Sequence, residues 1–245
     1  KTLLKKAIQI NPKYYEAHTN LGIIYNQERN FDISIELFKK AIIISPNYCN
    51  AHFNLGNAYK EINNFKDAII SYKNTIRIDP THFSSFNNIG LIYHQMKNIE
   101  SSMYYYKKAI LINPDFYITY NNIGLLHREI GDYDIALNYY KKAIKLNNNY
   151  AEAYCNQGVT FYRKGNLTKA INSFKKGISL NPKFEELYLN YGILLEELGQ
   201  FDEAIKIYDL AFEINKNIDI FIMRVIAQRY ICDWSTFEKD YCYVK

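Results

Sequence analysis

Glycine recurs every 34 residues along this chain, at Gly22, Gly56, Gly90, Gly124, Gly158 and Gly192, without slippage. All five prolines (Pro12, Pro46, Pro80, Pro114 and Pro182) fall in a second row of the same register, where Asn148 fills the one gap. Gly131, Gly165 and Gly199 form a third row. A fixed period of this size means one supersecondary unit copied along the chain, so 245 residues do not translate into a count of globular domains.

Within the period the pattern is two helices. Taking 15–48 as the first unit, the others are 49–82, 83–116, 117–150, 151–184 and 185–218. Helix A carries an aromatic residue or histidine ahead of the glycine: His18, His52, Phe86, Tyr120, Tyr154 and Tyr188. One turn beyond the glycine come Tyr25, Tyr59, Tyr93, His127, Phe161 and Leu195, so the three rows share one helical face. Asn30, Asn64, Asn98, Asp132 and Asn166 are good N-cap residues to open helix B. Helix B then sets small residues (Ser34, Ala68, Ser102, Ala136, Ala170, Ala204) beside aromatics (Phe38, Tyr72, Tyr106, Tyr140, Phe174, Tyr208). A second small row follows at Ala41, Thr75, Ala109, Ala143, Gly177 and Ala211. Small against large lets two helices approach to about 8–10 Å. Proline then stops helix B, since it lacks an N–H and restricts the residue before it. Residues 1–14 fit the end of helix B of a preceding repeat, with Leu4, Ala7 and Pro12 in register.

In its period and in its glycine, aromatic, alanine and proline positions the chain resembles the tetratricopeptide repeat (TPR). The resemblance implies an all-α fold, a right-handed TPR superhelix (α-solenoid) of six full repeats with partial helices at both ends, its A helices lining the concave face. Composition narrows the function. Thirty basic against 25 acidic residues give +5, too mild a surplus for a nucleic-acid-binding stripe. No apolar run approaches the roughly 18 residues that span a bilayer, so no membrane partner is expected. Cysteines at 49, 155, 232 and 242 form no CxxC pair, which points to a reducing compartment, cytoplasmic or nuclear. No phosphate-binding loop, Ser/His/Asp arrangement or separate carboxylate pair is visible, so no catalytic residue is assigned. His18 and His52 occupy a packing position, and no metal site or cofactor is assigned to these residues.

A solenoid's helices mostly serve packing, so function is sought in rows that packing does not need. Two residues before every glycine stands asparagine: Asn20, Asn54, Asn88, Asn122, Asn156 and Asn190. Asparagine is a poor residue for a helix interior, because its amide competes for backbone hydrogen bonds. Its carboxamide offers a donor and an acceptor together, which suits the C=O and N–H of an extended peptide. Rungs about 10 Å apart meet every third residue of a strand that rises ~3.3 Å per residue. Asn87 and Asn121 add a second asparagine beside the row. These eight residues are the candidate peptide-binding site, with extended segments of other proteins as partner. The other reading of the same row is a set of bridges between neighbouring helices. Lys60, His94 and Arg128 share one position at the lip of the groove, either a basic line or plain solvated surface. The groove rows lack the cations with which some TPR domains clamp the C-terminal carboxylate of chaperones.

After Phe212 the pattern fades: Lys216 stands at the proline position, Arg224 at the asparagine position and Ile226 at the glycine position. Residues 219–245 form a degenerate capping helix and a Cys232-Asp233-Trp234 junction, followed by a capping box from Ser235 to Glu238. An asparagine-bearing array running into this junction resembles the TPR region of O-linked N-acetylglucosamine transferase and of SPINDLY-like protein glycosyltransferases. That resemblance implies an acceptor-docking arm, a UDP-sugar only for a catalytic region absent from these residues, and a homodimer through the convex face. The alternative is a stand-alone TPR adaptor for complex assembly with no enzyme attached.

Overall fold

The computed structural model describes residues 1–232, and all the regular structure among them is helical. The chain divides into two compact units at Thr119/Tyr120. The first unit holds α1 (Thr2–Ile10), α2 (Tyr15–Gln27), α3 (Phe31–Ile44), α4 (Cys49–Glu61), α5 (Phe65–Ile78), α6 (Phe83–Gln95) and α7 (Ile99–Ile112). Helix α8 (Tyr117–Glu129) carries the division point. The second unit continues with α9 (Tyr133–Leu146), α10 (Ala151–Arg163), α11 (Leu167–Leu180), α12 (Glu185–Glu197), α13 (Phe201–Asn215) and α14 (Ile218–Tyr230). From Asp233 onward, Trp234 and the Ser235–Glu238 capping box included, the chain lies outside the described residues.

Each A helix ends in a tight turn into its B helix. The turn needs one left-handed residue: Arg29, Asn63 and Lys97 hold φ of 58–59° in the first unit, whereas Gly131, Gly165 and Gly199 hold φ of 70–88° in the second. The next residue caps helix B. Asn64, Asn98 and Asn166 accept the backbone N–H three residues on, which satisfies an orphan donor of the first turn. Asn30 and Asp132 occupy the same cap position without that bond. The Asp132 carboxylate stands 3.2 Å from His127 Nδ1 instead. Helices α3, α5, α7, α9 and α11 stop one residue short of the next proline or its equivalent, as α3 does at Ile44 ahead of Ser45-Pro46, whereas α13 runs on to Asn215, directly before Lys216.

The core of each unit is the glycine–aromatic pair. Phe38, Tyr72 and Tyr106 in the first unit, and Tyr140, Phe174 and Tyr208 in the second, are buried. Each ring lies flat against the glycine sixteen residues before it. A Cβ at Gly22 would sit 2.6 Å from Phe38, and one at Gly158 would sit 2.5 Å from Phe174. No real pair of carbons packs that closely, so the bare glycine is what admits the ring.

Antiparallel A–B pairs make the dominant packing within each unit, and B helices also pack on the A helix that follows, as α3 does on α4, α5 on α6, α9 on α10 and α11 on α12. Neighbouring A helices also touch directly, α2 with α4 and α10 with α12, to an extent that no pair of B helices matches among the described residues. Helices that approach on one side and splay on the other curve their layer, so within each unit the A helices form the inner face. In α2, α4 and α12 the ring ahead of the glycine ties the A helix to the preceding proline turn. His18 and His52 contact the carbonyls of Pro12 and Pro46 through Nε2 at 2.9 Å, and Tyr188 Oη donates to that of Pro182 at 3.0 Å.

Candidate functional site

The asparagine row lies on the inner layer of A helices, but its members are not equivalent. Asn20 is exposed on α2. Asn54 and Asn190 are half-buried, and each turns its amide back onto its own helix: Asn54 Nδ2 donates to Asn50 O, and Asn190 Nδ2 to Glu186 O, both at 2.8 Å. This i−4 back-bond takes one of the two amide N–H donors and does not use Oδ1 as an acceptor. Asn122 is half-buried.

In the first unit Asn88 belongs to a polar cluster. Its Nδ2 donates to Asn57 Oδ1 at 3.1 Å and approaches Tyr72 Oη at 3.3 Å, while Tyr72 Oη donates to the same Asn57 oxygen at 2.7 Å. Buried Asn87 donates to Asn88 Oδ1 at 3.3 Å and accepts from Thr119 Oγ1 at 2.9 Å. Burial drives the Tyr72 hydroxyl well above the ordinary phenol range. Asn57 is a member of this cluster that the asparagine row does not reveal. Its signal was in the sequence all the same: the residue after each row glycine is otherwise Ile23, Leu91, Leu125, Val159 or Ile193.

In the second unit Asn121 and Asn156, both buried, face each other across adjacent A helices, and Asn156 Nδ2 donates to Asn121 Oδ1 at 3.0 Å. Arg128 Nη1 donates to the other end of the same amide, Asn156 Oδ1, at 3.1 Å. Asn121 Nδ2 reaches Tyr150 Oη at 3.4 Å, and that hydroxyl donates to Glu152 Oε2 at 2.7 Å. One repeat further, Asn190 Nδ2 lies 3.6 Å from Cys155 Sγ, the same relation with sulfur in place of an amide oxygen. Burial, chiefly, and the Glu186 carboxylate push the Cys155 thiol up to about 12, so it is packed and unreactive at neutral pH.

The structure therefore brings Asn87 to Asn88 and Asn121 to Asn156, while Asn20 and Asn54 stand apart. The lip position does not form a line of open cations: Lys60 pairs with Glu61 at 3.2 Å, and His94 is buried. No group of three His, Cys, Asp or Glu side chains poised for a metal occurs among the described residues. No described helix is long and apolar enough to cross a membrane.

Comparison with known proteins bears on the fold first. Family models described as "TPR repeat" match residues 24–63, 56–97 and 124–165. Models described as "Tetratricopeptide repeat" match 83–116 and 151–184, and also 3–36 and 173–206. Together they span well over half of the chain. The curated proteins contain no significant match to the sequence. Among solved structures, the APC/C hetero-tetramer Cut9–Hcn1 superposes with a TM-score of 0.78 at 16% identity, covering 92% of this chain and 45% of its counterpart. The chain thus spans less than half of that relative. MamA is 27% identical with a TM-score of 0.55, over 66% of this chain and 95% of the other. YrrB, described as a TPR protein with an unusual peptide-binding site, is 20% identical with a TM-score of 0.53, over 75% and 95%.

Proposed function

The chain belongs to the tetratricopeptide repeat family, and from that premise we propose that it is a protein-binding scaffold whose inner A-helix face docks extended polypeptide. The observation that carries the reading is the asparagine found at one inner-face position of all six repeats. At Asn54 and Asn190 the back-bond is made by the amide nitrogen, which keeps the carboxamide oxygen as an acceptor for a backbone N–H. YrrB, similar in fold, is described by its peptide-binding site, which agrees with this use of the repeat.

Two identities fit such a scaffold. The acceptor-docking arm of an O-linked N-acetylglucosamine transferase-like glycosyltransferase is supported by the asparagine row running into Cys232-Asp233-Trp234. A stand-alone adaptor is supported by the likeness to Cut9–Hcn1, a structure described as an assembly. Sugar transfer from a UDP-sugar to protein acceptors by the gene product purified from its source selects the first, and its absence the second.

The binding reading is tested on the 245-residue chain by panning displayed peptides and measuring affinities by fluorescence anisotropy. Changing Asn20, Asn54 and Asn190 together to Ala removes one hydrogen bond per rung, each contributing about 0.5–1.5 kcal/mol, so affinity falls at least about tenfold. Helicity and melting temperature stay level, because alanine is the better helix former. Unchanged affinity with a lowered melting temperature would make the row scaffold only.

A further inference from the structure

We infer that Arg128 reads charge on this face, holding the side-chain carboxylate of an Asp or Glu in the docked segment; the inference rests on the polypeptide-binding function proposed above. Arg128 stands in the last turn of α8 and is half-buried. One of its five N–H donors is used, on Asn156 Oδ1. Asn156 cannot swing away, since its amide nitrogen is fixed on buried Asn121 and that amide in turn on Tyr150. The guanidinium is therefore oriented by a neutral amide while its charge goes unmatched: among the described residues it forms no ion pair. Lys60, Lys164 and Arg224, by contrast, are each matched by a carboxylate, from Glu61, Asp134 and Asp209. A partly desolvated cation with free fork donors is the geometry that takes a carboxylate in two parallel bonds.

The surrounding charges narrow the partner further. Glu152 and Glu186, both exposed in the first turns of α10 and α12, act on the Cys155 thiol with the opposite sign to Arg128. The first turns of α10 and α12 thus carry negative charge, and the last turn of α8 carries the positive charge of Arg128. A run of acidic residues would be repelled by the glutamates, so the fitting segment carries one acidic residue with basic neighbours.

Random dodecapeptides displayed as N-terminal fusions, which leave no free C-terminus, are panned on the 245-residue chain and on Arg128→Gln, Arg128→Glu and Arg128→Lys. The unaltered chain is expected to enrich Asp or Glu at one position with Lys or Arg flanking it. Arg128→Gln loses that preference and binds the selected peptides about tenfold more weakly. Arg128→Glu selects Lys or Arg at the same position, while Arg128→Lys keeps the acidic choice at intermediate affinity. Melting curves identify any variant that is misfolded. Peptides selected without an acidic position, or bound equally by Arg128→Gln, overturn the role of Arg128 and leave the scaffold standing. Failure to enrich any peptide over bare support overturns both.

Discussion

Arg29, Asn63 and Lys97 stand in a left-handed turn that the second unit fills with glycine. A Cβ in that region costs roughly 1–2 kcal/mol, and glycine's extra freedom in the unfolded chain gives back about 0.5–1. Arg29 is exposed, so Arg29→Gly is expected to raise stability by about 0.5–1 kcal/mol. Thermal unfolding checks it, and a lower melting temperature contradicts the strain. The glycine that recurs every 34 residues is required for the reverse reason, space instead of torsion. Gly158→Ala drives a methyl into the buried Phe174 ring and is expected to cost about 1–3 kcal/mol despite alanine's helix propensity. Trimming the ring restores room, so Gly158→Ala/Phe174→Leu melts higher than the sum of its single changes predicts. Additive losses would mean the ring and glycine do not share that space.

At the scale of one helix, the contact from an A helix to the proline turn before it makes a test of element docking. His52 reaches Pro46 O from the position where Tyr188 reaches Pro182 O. Phe86 holds the same position with no polar atom to offer. His52→Tyr is therefore expected to leave stability within about 0.5 kcal/mol, and His52→Phe to lose about 0.5–1.5 kcal/mol. Equal melting temperatures for both variants would assign the position to packing alone. Helices of this kind were legible in the sequence because glycine, proline and small residues act through sterics, which a position in a period encodes. Row members with polar side chains were less so. Asn54 and Asn156 occupy the same position, yet one bonds its own helix and the other its neighbour. The difference is the residue across the interface, Thr19 against Asn121, which only the stacking of two repeats brings into register. Asn57 shows the same limit from the other side. It breaks an apolar row visibly, but its partners Tyr72 and Asn88 come from different helices.

On the scale of the whole molecule, one chemical group is buried in both units, the phenol of the B-helix tyrosines, and it sets how the fold ends at high pH. Burial raises the Tyr140 hydroxyl to about 12 from an ordinary value of 10.0, despite the Arg128 charge and the Thr160 side chain working the other way. Burial raises Tyr72 and Tyr208 beyond the ordinary range too, and the Glu196 carboxylate adds to the rise at Tyr208. A raised pKa means that the folded state holds its proton more tightly than the unfolded chain does. Below pH 10 both states are protonated and the full stability is present; above it the unfolded chain sheds protons that the folded chain keeps. Stability then falls by up to roughly 1.4 kcal/mol per pH unit for each such tyrosine, until the folded pKa is passed. Three groups acting in one window can exhaust the roughly 5–15 kcal/mol of a typical domain. The expected outcome is a cooperative loss of helical circular dichroism between pH 10 and about 12, coincident with a late step in phenolate absorbance. Among 24 tyrosines the exposed ones ionise earlier, in a gradual phase that leaves the helices intact. Tyr140→Phe removes one proton from the balance and moves the helical transition to higher pH. Were the phenolate signal to finish while the helices stayed folded, the buried rings would be reachable by water in the native state.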